Sequence, residues 1–258
     1  MRSVGTVLLT GARPWLSTLA LLVLWQALAT AGALDPRTLP GPDVLARTAA
    51  ELLRSGELAG AVGVSLARVA AGTVLGVGLG LAAGLLAGLS RLAHDVVDRP
   101  VQMVRTVPFT ALVPLFLLWF GLGETPKVAL VVVATAVPLY LNTVAGVRGV
   151  DHRLVEVARV NGLSRWRTVR RVLLPGALPS VLVGLRFALG VAWVAVIVAE
   201  TVNADRGVGH LLTTGRTYAR TDVVVVCIAL YAALGALTDA AVRALEARLL
   251  RWRTPATG

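Results

Sequence analysis

The stretch DHRLVEVARVNGLSRWRTVRRVLLP, residues 151–175, is the longest strongly polar interruption in an otherwise apolar chain, and it organises the rest of the sequence. Its apolar residues recur at helical spacing, which predicts a short amphipathic helix over 153–161; they are Leu154, Val157, Ala158 and Val160. Asn161 and Gly162 tolerate a left-handed backbone at low cost, so this pair predicts the end of the helix.

A second short helix is predicted directly after this turn. Ser164 can cap it through its side-chain oxygen, and the helix should continue to Val172. Pro175 is expected to end it, because proline lacks a backbone N–H and its ring clashes with the preceding turn. The stretch therefore predicts a helix–turn–helix with a basic outer face, placed between two membrane spans and bound by a cytoplasmic partner.

The composition is that of a membrane protein. The 258 residues are 56% hydrophobic and have a mean hydropathy of +0.77, which is too apolar for an ordinary soluble domain. The net charge of +11 fits the excess of basic residues on the cytoplasmic side of a polytopic membrane protein. Aromatic residues are few and no soluble basic domain is visible, so nucleic acid is not expected as a partner.

Apolar runs of bilayer-spanning length predict an all-α protein with six transmembrane helices. The predicted spans are 15–33, 66–89, 101–121, 128–147, 178–199 and 222–241. The sequence A-T-A-G-A at the end of the first run also fits a signal-peptidase site, so a cleaved signal peptide is the alternative to an uncleaved first span. The predicted domain covers residues 15–253 with its polar loop at 148–177, between an N-terminus (1–14) and a tail (254–258).

The distribution of charge predicts the orientation in the membrane. Six spans place both termini on one side, and Arg2 and Arg13 assign that side to the cytoplasm. The arginine-rich 148–171 loop then also lies inside, whereas the 34–62 segment, in which acids offset the bases, lies outside. The 200–221 loop, which holds three arginines, is the exception to the positive-inside rule.

The second predicted span carries a glycine at every fourth position. These residues are Gly72, Gly76, Gly80, Gly84 and Gly88. The spacing places them on one helix face, where the absence of side chains lets another helix backbone approach closely. Two interpretations stay open, namely a tight contact that slides during function and ordinary packing in a glycine-rich bundle.

The chain lacks the sequence features of an ATPase or a metalloenzyme. A phosphate-binding loop needs G-x-x-x-x-G-K-[ST], and the only lysine, Lys127, is not in such a pattern. His94, His152 and His210 are far apart in sequence, and the single cysteine, Cys227, lies in an apolar run. No catalytic residue, metal site or bound cofactor is therefore predicted for this chain.

The polar stretch carries a family pattern. Glu156-Val157-Ala158, then Gly162, then Val172-Leu173-Leu174-Pro175 resembles the EAA loop of permease subunits of bacterial ABC importers. That family's loop reads E-A-A, three residues, Gly, nine residues, Ile, one residue, Leu-Pro. Here valine replaces the first alanine and the isoleucine, while the other positions keep their offsets.

The resemblance covers roughly residues 36–253 and points to the nitrate/sulfonate/taurine branch of these permeases. The stretches similar to that branch are 115–124, 141–148, 184–193 and 199–212. A departure at Thr110-Ala111-Leu112, where the branch usually carries Pro and Trp, bears on the identity of the substrate.

The resemblance implies a type I importer in the bacterial cell membrane, with two copies of the permease facing each other in lipid. Two cytoplasmic ABC ATPase subunits, which bind ATP and Mg²⁺, would dock beneath, and an extracytoplasmic substrate-binding protein would deliver the solute. The 153–160 helix would sit in a cleft on the ATPase, and Glu156 would fix the loop by capping or by pairing with an arginine. The coupling residues implied are Glu156, Val157, Ala158, Arg159, Asn161, Gly162, Leu174 and Pro175.

Polar side chains inside the spans are candidates for the substrate pathway, because at membrane depth they usually face a bundle interior or an aqueous cavity. These candidates are Gln102, Arg105, Thr106, Asn142, Thr143 and Glu200. Arg105 can equally extend toward the cytoplasmic headgroups, which is the competing interpretation.

The branch resemblance predicts a permease for a small anionic solute of the aliphatic sulfonate, taurine or nitrate class. Within the same family, a thiamine-precursor pyrimidine or riboflavin is the alternative solute. Outside it, an ATP-independent channel or carrier and an integral membrane enzyme are the alternatives; the EAA-type loop argues against the former and the lack of a catalytic constellation against the latter.

Overall fold

The computed structural model describes residues 4–251, with side chains from Leu16 onward, and the chain is all-α over this range with no β-strand. The helices are α1 (Val4–Thr30), α2 (Pro42–Arg54), α3 (Glu57–Leu89), α4 (Arg91–Thr106), α5 (Leu112–Phe120), α6 (Glu124–Arg148), α7 (His152–Val160), α8 (Arg165–Thr168), α9 (Leu174–Val202), α10 (Val208–Thr217) and α11 (Thr221–Leu249). A 3₁₀ turn, Phe109–Ala111, precedes α5. The predicted tail at 254–258 and residues 1–3 lie outside the described residues.

Three long helices form the centre of the molecule, with α6 packed between α3 and α9. Leu130 and Val131 of α6 are fully buried there, and Ala192 and Val196 of α9 are buried with them. The helices α2, α10 and α11 pack around this centre. Small and β-branched side chains dominate the contacts, which allows the helix axes to approach closely.

The described helices confirm the all-α polytopic class. Four are long and apolar enough to cross a membrane, and they are Glu57–Leu89, Glu124–Arg148, Arg165–Val202 and Thr221–Leu249. A bent pair of helices, Arg91–Thr106 with Phe109–Phe120, can form one further span, and the described apolar part of α1, Leu16–Thr30, is shorter. Five of the six predicted spans each fall on one of these helices, and the third, 101–121, falls on the bent pair.

The third predicted span, 101–121, falls on a sharply bent pair of helices rather than on one straight helix. The two helices meet at 85° across Val107 and Pro108. Val107 has an extended backbone (φ −79°, ψ 123°), which is the conformation that a following proline favours. Because Pro108 also lacks an N–H, the helix cannot continue through it.

The prediction that Pro175 ends a helix is wrong. After α8, the residues Val169–Leu173 form a π-helical turn that leads without a break into α9, with Pro175 in its first turn. A proline is accommodated in the first turn of a helix, where its missing N–H has no required partner. The π-helical turn joins α8 directly to α9, so the polar loop and the fifth span form one continuous helical run.

The glycine face of α3 lies directly against α6. A Cβ on Gly80 would lie 2.5 Å from the carbonyl oxygen of Ala136, and one on Gly72 would lie 2.5 Å from Cβ of Val131. Positions 76, 84 and 88 are equally crowded, by Thr135, Thr143 and Val147 respectively. Gly78, on another face of α3, has open space beside it. This geometry is close backbone packing; whether the contact slides stays an open prediction.

Candidate functional site

The polar loop is built from two capped helices. The side chain of Asp151 accepts a hydrogen bond from the backbone N–H of Arg153 (2.9 Å) and starts α7. Ser164 accepts from the backbone N–H of Arg167 (3.4 Å) and starts α8, as predicted. Side-chain oxygens satisfy N–H groups that the first turn of a helix leaves without a partner, so residues within the loop itself cap the start of both helices.

The turn between these helices depends on Gly162. Its φ of +72° is left-handed, as the Asn-Gly pair predicts. The N–H of Leu163 donates to the carbonyl of Ala158 (3.0 Å), and the side-chain amide of Asn161 donates to the carbonyl of Val157 (2.7 Å). The last carbonyls of α7 are therefore satisfied within the loop itself.

The solvent-facing side of α7 carries exposed apolar side chains. Leu154 is 54% exposed, Val157 is 58% exposed and Val160 is 88% exposed, and Trp166 on α8 is also exposed. Ala158 alone in α7 is buried. Arg159, Asn161 and Gly162 are exposed, whereas Leu174 and Pro175 are half-buried where the loop joins α9. We call the surface of Leu154, Val157 and Val160 the α7 face.

Glu156 pairs with a histidine rather than with an arginine. Its carboxylate lies 3.1 Å from Nδ1 of His152, one turn earlier on the exposed side of α7. The contact is local and solvated, and an exposed side-chain pair of this kind contributes little to stability. The role of Glu156 in coupling stays a prediction.

One of the candidate pathway residues, Arg105, lines an open cavity of about 380 Å³ between α4, α6 and α9. Among the described residues that line this cavity, Arg105 alone is charged; the walls include Phe109, Pro138, Leu141 and Phe187. A single cation in an apolar cavity is suited to hold an anionic group whose remaining part is apolar.

The other candidates on α4 and α6 do not converge on this cavity. Thr143 is fully buried against the glycine face of α3, and its hydroxyl donates to the carbonyl of Leu139 (2.7 Å). Asn142 faces α9 next to Gly184, and its amide donates to the carbonyl of Pro138 (2.9 Å). Thr106 is exposed on α4 and Gln102 is half-buried there.

Glu200, the remaining candidate, is the centre of a buried polar cluster at the end of the bundle opposite the polar loop. It is 1% exposed and accepts hydrogen bonds from Arg68 (2.8 Å), from Ser65 (2.8 Å) and from the backbone N–H of Gly209 (2.8 Å). Arg68 is itself 5% exposed and also forms two 2.6 Å hydrogen bonds with Glu124 at the start of α6. We call Ser65, Arg68, Glu124 and Glu200 the outer cluster.

The outer cluster also fixes α10. The N–H of Val208 donates to Ser65 (2.9 Å), and a Cβ on Gly207 or Gly209 would lie within 2.6 Å of Glu200. Sequence reasoning did not identify Arg68, although a single arginine in the apolar run 66–89 is the pattern that marks such a group. Its partners are 56 and 132 residues away, which no local pattern reveals.

Asp43 of α2 accepts hydrogen bonds from Gln26 of α1 (3.1 Å) and from Arg47. These bonds, that from Gln26 first, lower the pKa of Asp43 below its usual value, because they stabilise the charged carboxylate. The contact joins α1 to α2.

These features define a class of protein, a polytopic membrane protein with an exposed polar loop between two of its membrane-spanning helices. Residues 76–251 match the family described as the binding-protein-dependent transport system inner membrane component, and the chain belongs to this family. It is therefore a multi-pass inner-membrane transport subunit that works with a substrate-binding protein, and the ATPase of such systems is a separate subunit.

Curated relatives match the chain over almost its whole length. It is 46% identical over 239 residues to the putative aliphatic sulfonates transport permease protein of Escherichia coli K12, covering 93% of this chain and 91% of the relative. The corresponding protein of Bacillus subtilis 168 is 41% identical, covering 92% of this chain and 86% of the relative. The taurine transport system permease protein of Escherichia coli K12 is 34% identical, covering 92% and 88%.

Solved structures support the fold. A chain of an amino acid ABC transporter with histidines aligns with a TM-score of 0.65 at 19% identity, covering 77% of this chain and 97% of that chain. A chain of the MetNI methionine ABC transporter in an inward-facing conformation aligns with a TM-score of 0.61 at 22% identity, covering 74% and 97%. The arrangement of helices is thus that of ABC transporter permeases.

Proposed function

We propose that this chain is the permease subunit of an ATP-driven importer for a small anionic solute of the aliphatic sulfonate class. The observation that carries the proposal is the likeness, across 93% of the chain, to a permease named for aliphatic sulfonates. The likeness to a taurine permease supports the same chemistry, because taurine also carries a sulfonate group.

The α7 face supports docking on the ATPase. Apolar side chains that cluster on a solvated, basic loop mark a surface that a partner covers. In this proposal ATP and Mg²⁺ bind to the ATPase subunits, and the permease binds no cofactor. Closure of the nucleotide-bound ATPase dimer would pull the docked α7 helices together and open the membrane pathway outward.

The break at Val107 and Pro108 supports a second copy of the chain. Irregular backbone at membrane depth is tolerated where it is covered by protein or lines an aqueous path, because lipid cannot accept its hydrogen bonds. In the single chain Thr106, Val107 and Pro108 are exposed. We infer that two copies form a homodimer with the solute pathway between them, and that Arg105 faces this pathway.

The charge distribution supports the orientation. Exposed arginines of the loop, among them Arg165, Arg167, Arg170 and Arg171, would face the cytoplasm together with both chain termini. The outer cluster, α2 and α10 would then face the substrate-binding protein on the opposite side of the inner membrane.

The test begins with purification from native membranes in mild detergent, followed by identification of the proteins that co-purify. We expect a P-loop ATPase to co-purify. Native mass spectrometry should show two copies of the permease in each complex. In proteoliposomes with ATP inside and the binding protein outside, the complex should take up radiolabelled ethanesulfonate.

Replacing both Glu156 and Gly162 should release the ATPase while the permease still inserts in the membrane. Arg47→Gln, which removes an exposed ion pair on α2, is the matched control and should keep the ATPase. Uptake of ethanesulfonate without an ATPase would overturn the coupling part of the proposal. An intact complex that takes up no sulfonate would overturn the solute class.

A further inference from the structure

The two faces of α9 differ in chemistry. The face toward α3 and α6 is buried and consists of small residues such as Gly184, Ala188 and Ala192. The opposite face is open and carries Arg186 together with Phe187, which is 62% exposed. A charged side chain on an open face of a membrane helix needs a physical reason.

Arg186 lies within the fifth predicted span, 178–199. It precedes Glu200, in the outer cluster, by 14 residues, which corresponds to about 21 Å along a helix. The hydrocarbon core of a bilayer is about 30 Å thick, so Arg186 lies in its inner half. An ionised group at this depth faces a protein interior or a water-filled cavity rather than lipid.

Arg186 belongs to a cluster with one excess positive charge. Its Nε donates to Asp239 of α11 at 2.5 Å, and Arg243, one turn further along α11, donates to the other oxygen of the same carboxylate. Arg186 and Arg243 are about half exposed, and Asp239 is 32% exposed. Two guanidinium groups thus share one carboxylate and can accept a second anion.

The cluster lines a cavity between α9 and α11. This open cavity has a volume of about 410 Å³, and its apolar walls include Val183, Phe187 and Gly190. The neighbouring cavity that contains Arg105 shares Phe187 and Val191 with it, so the two lie side by side. Trp193 donates to Thr238 (3.0 Å) and holds the two helices together beside the cavity.

We propose that Arg186 binds the sulfonate group of the solute in the inner half of the pathway, and that Asp239 occupies Arg186 when no solute is present. A guanidinium group offers paired N–H donors that match the oxygens of an oxyanion, and the apolar walls suit an alkyl chain. When the solute arrives, Asp239 releases Arg186 but keeps Arg243, so no charge is left without a partner. This inference rests on the proposed function.

The test uses the reconstituted complex and uptake of radiolabelled ethanesulfonate. Arg186→Gln should reduce uptake by about tenfold or more, which is the effect of removing one charge-assisted hydrogen bond to the solute. Arg186→Lys, which keeps the charge but loses the paired donors, should retain an intermediate rate. Arg248→Gln changes an exposed arginine near the end of α11 that lines neither cavity, and it should transport at the wild-type rate.

The double variant Arg186→Gln with Asp239→Asn separates solute binding from a merely structural ion pair. A structural pair predicts recovery, because the two introduced amides can hydrogen-bond between α9 and α11, and Arg243, which then lacks Asp239, is about half exposed to solvent. Solute binding predicts that uptake stays as low as in Arg186→Gln, although the complex assembles. The double variant also distinguishes solute binding from a structural ion pair if Arg186→Gln alone does not assemble.

The outcomes distinguish this inference from the proposed function. If the wild-type complex does not import ethanesulfonate, the proposed function fails and the inference fails with it. If the wild type imports it and Arg186→Gln or the double variant imports it at the same rate, the inference alone is overturned.

Discussion

The polar loop and the outer cluster lie at opposite ends of the bundle and are stabilised in opposite ways. In the loop, each hydrogen bond described for α7 and its turn joins residues at most five positions apart, and the apolar α7 face is exposed. In the outer cluster, Arg68 and Glu200 join residues from distant parts of the chain and are almost completely buried.

This difference indicates that the two regions have different tasks. The outer cluster holds the fold together, whereas the loop transmits force. The outer cluster has its polar groups paired within the chain, so it fixes α3, α6, α9 and α10 relative to one another. The loop has paired its backbone groups locally but leaves its apolar side chains without a partner in the chain. We therefore expect substitutions in the outer cluster to reduce stability, and substitutions in the loop to reduce coupling at little cost in stability.

The largest effect on stability is expected for Arg68→Leu. This change leaves Glu200 as a buried carboxylate without its cation, and breaking a buried ion pair in this way costs about 3–5 kcal/mol. The measurement is thermal unfolding of the detergent-solubilised complex, followed by intrinsic tryptophan fluorescence. Arg47→Leu, in an exposed pair on α2, is the control and should leave the unfolding temperature unchanged.

A second variant sharpens the test of the outer cluster. Replacing both Arg68 and Glu200 by leucine removes both buried charges, so it should be more stable than Arg68→Leu alone. If Arg68→Leu unfolds at the same temperature as the wild type, the outer cluster does not hold the fold, and the contrast with the loop disappears.

An intermediate effect is expected where α3 meets α6. Gly80→Ala places a Cβ 2.5 Å from a backbone carbonyl oxygen, and forcing extra volume into a close-packed contact costs about 1–3 kcal/mol. Gly78→Ala is matched in chemistry and lies two residues away with open space beside it. It should be neutral or stabilising by about 0.5–1 kcal/mol, because alanine favours the helix. Equal unfolding temperatures for the two variants would show that the helices do not require close packing at Gly80.

The sequence predicts the parts of this molecule that depend on neighbouring residues. The cap at Ser164, the turn at Gly162 and the position of the spans follow from local patterns, and the structure has them. The partners of Arg68 and the Arg186–Asp239 pair could not be predicted, because the chain brings these residues together from different helices. The prediction that Pro175 ends a helix was wrong for a related reason. The π-helical turn before Pro175 lets the helix continue, and no local pattern revealed that turn.

The smallest effect on stability, and the sharpest contrast, is expected for Gly162→Val. The left-handed φ of +72° costs a residue with a side chain about 1–2 kcal/mol, and a Cβ there would meet no neighbouring atom. That strain would favour a different turn and reorient α7, so uptake should be lost while the permease inserts and unfolds near the wild-type temperature. Gly162→Asn is the matched control and should retain most uptake, because asparagine adopts this conformation more readily than valine. Undiminished uptake by Gly162→Val would mean that the orientation of α7 does not matter for coupling, and the loop would then differ from the outer cluster only in its exposure.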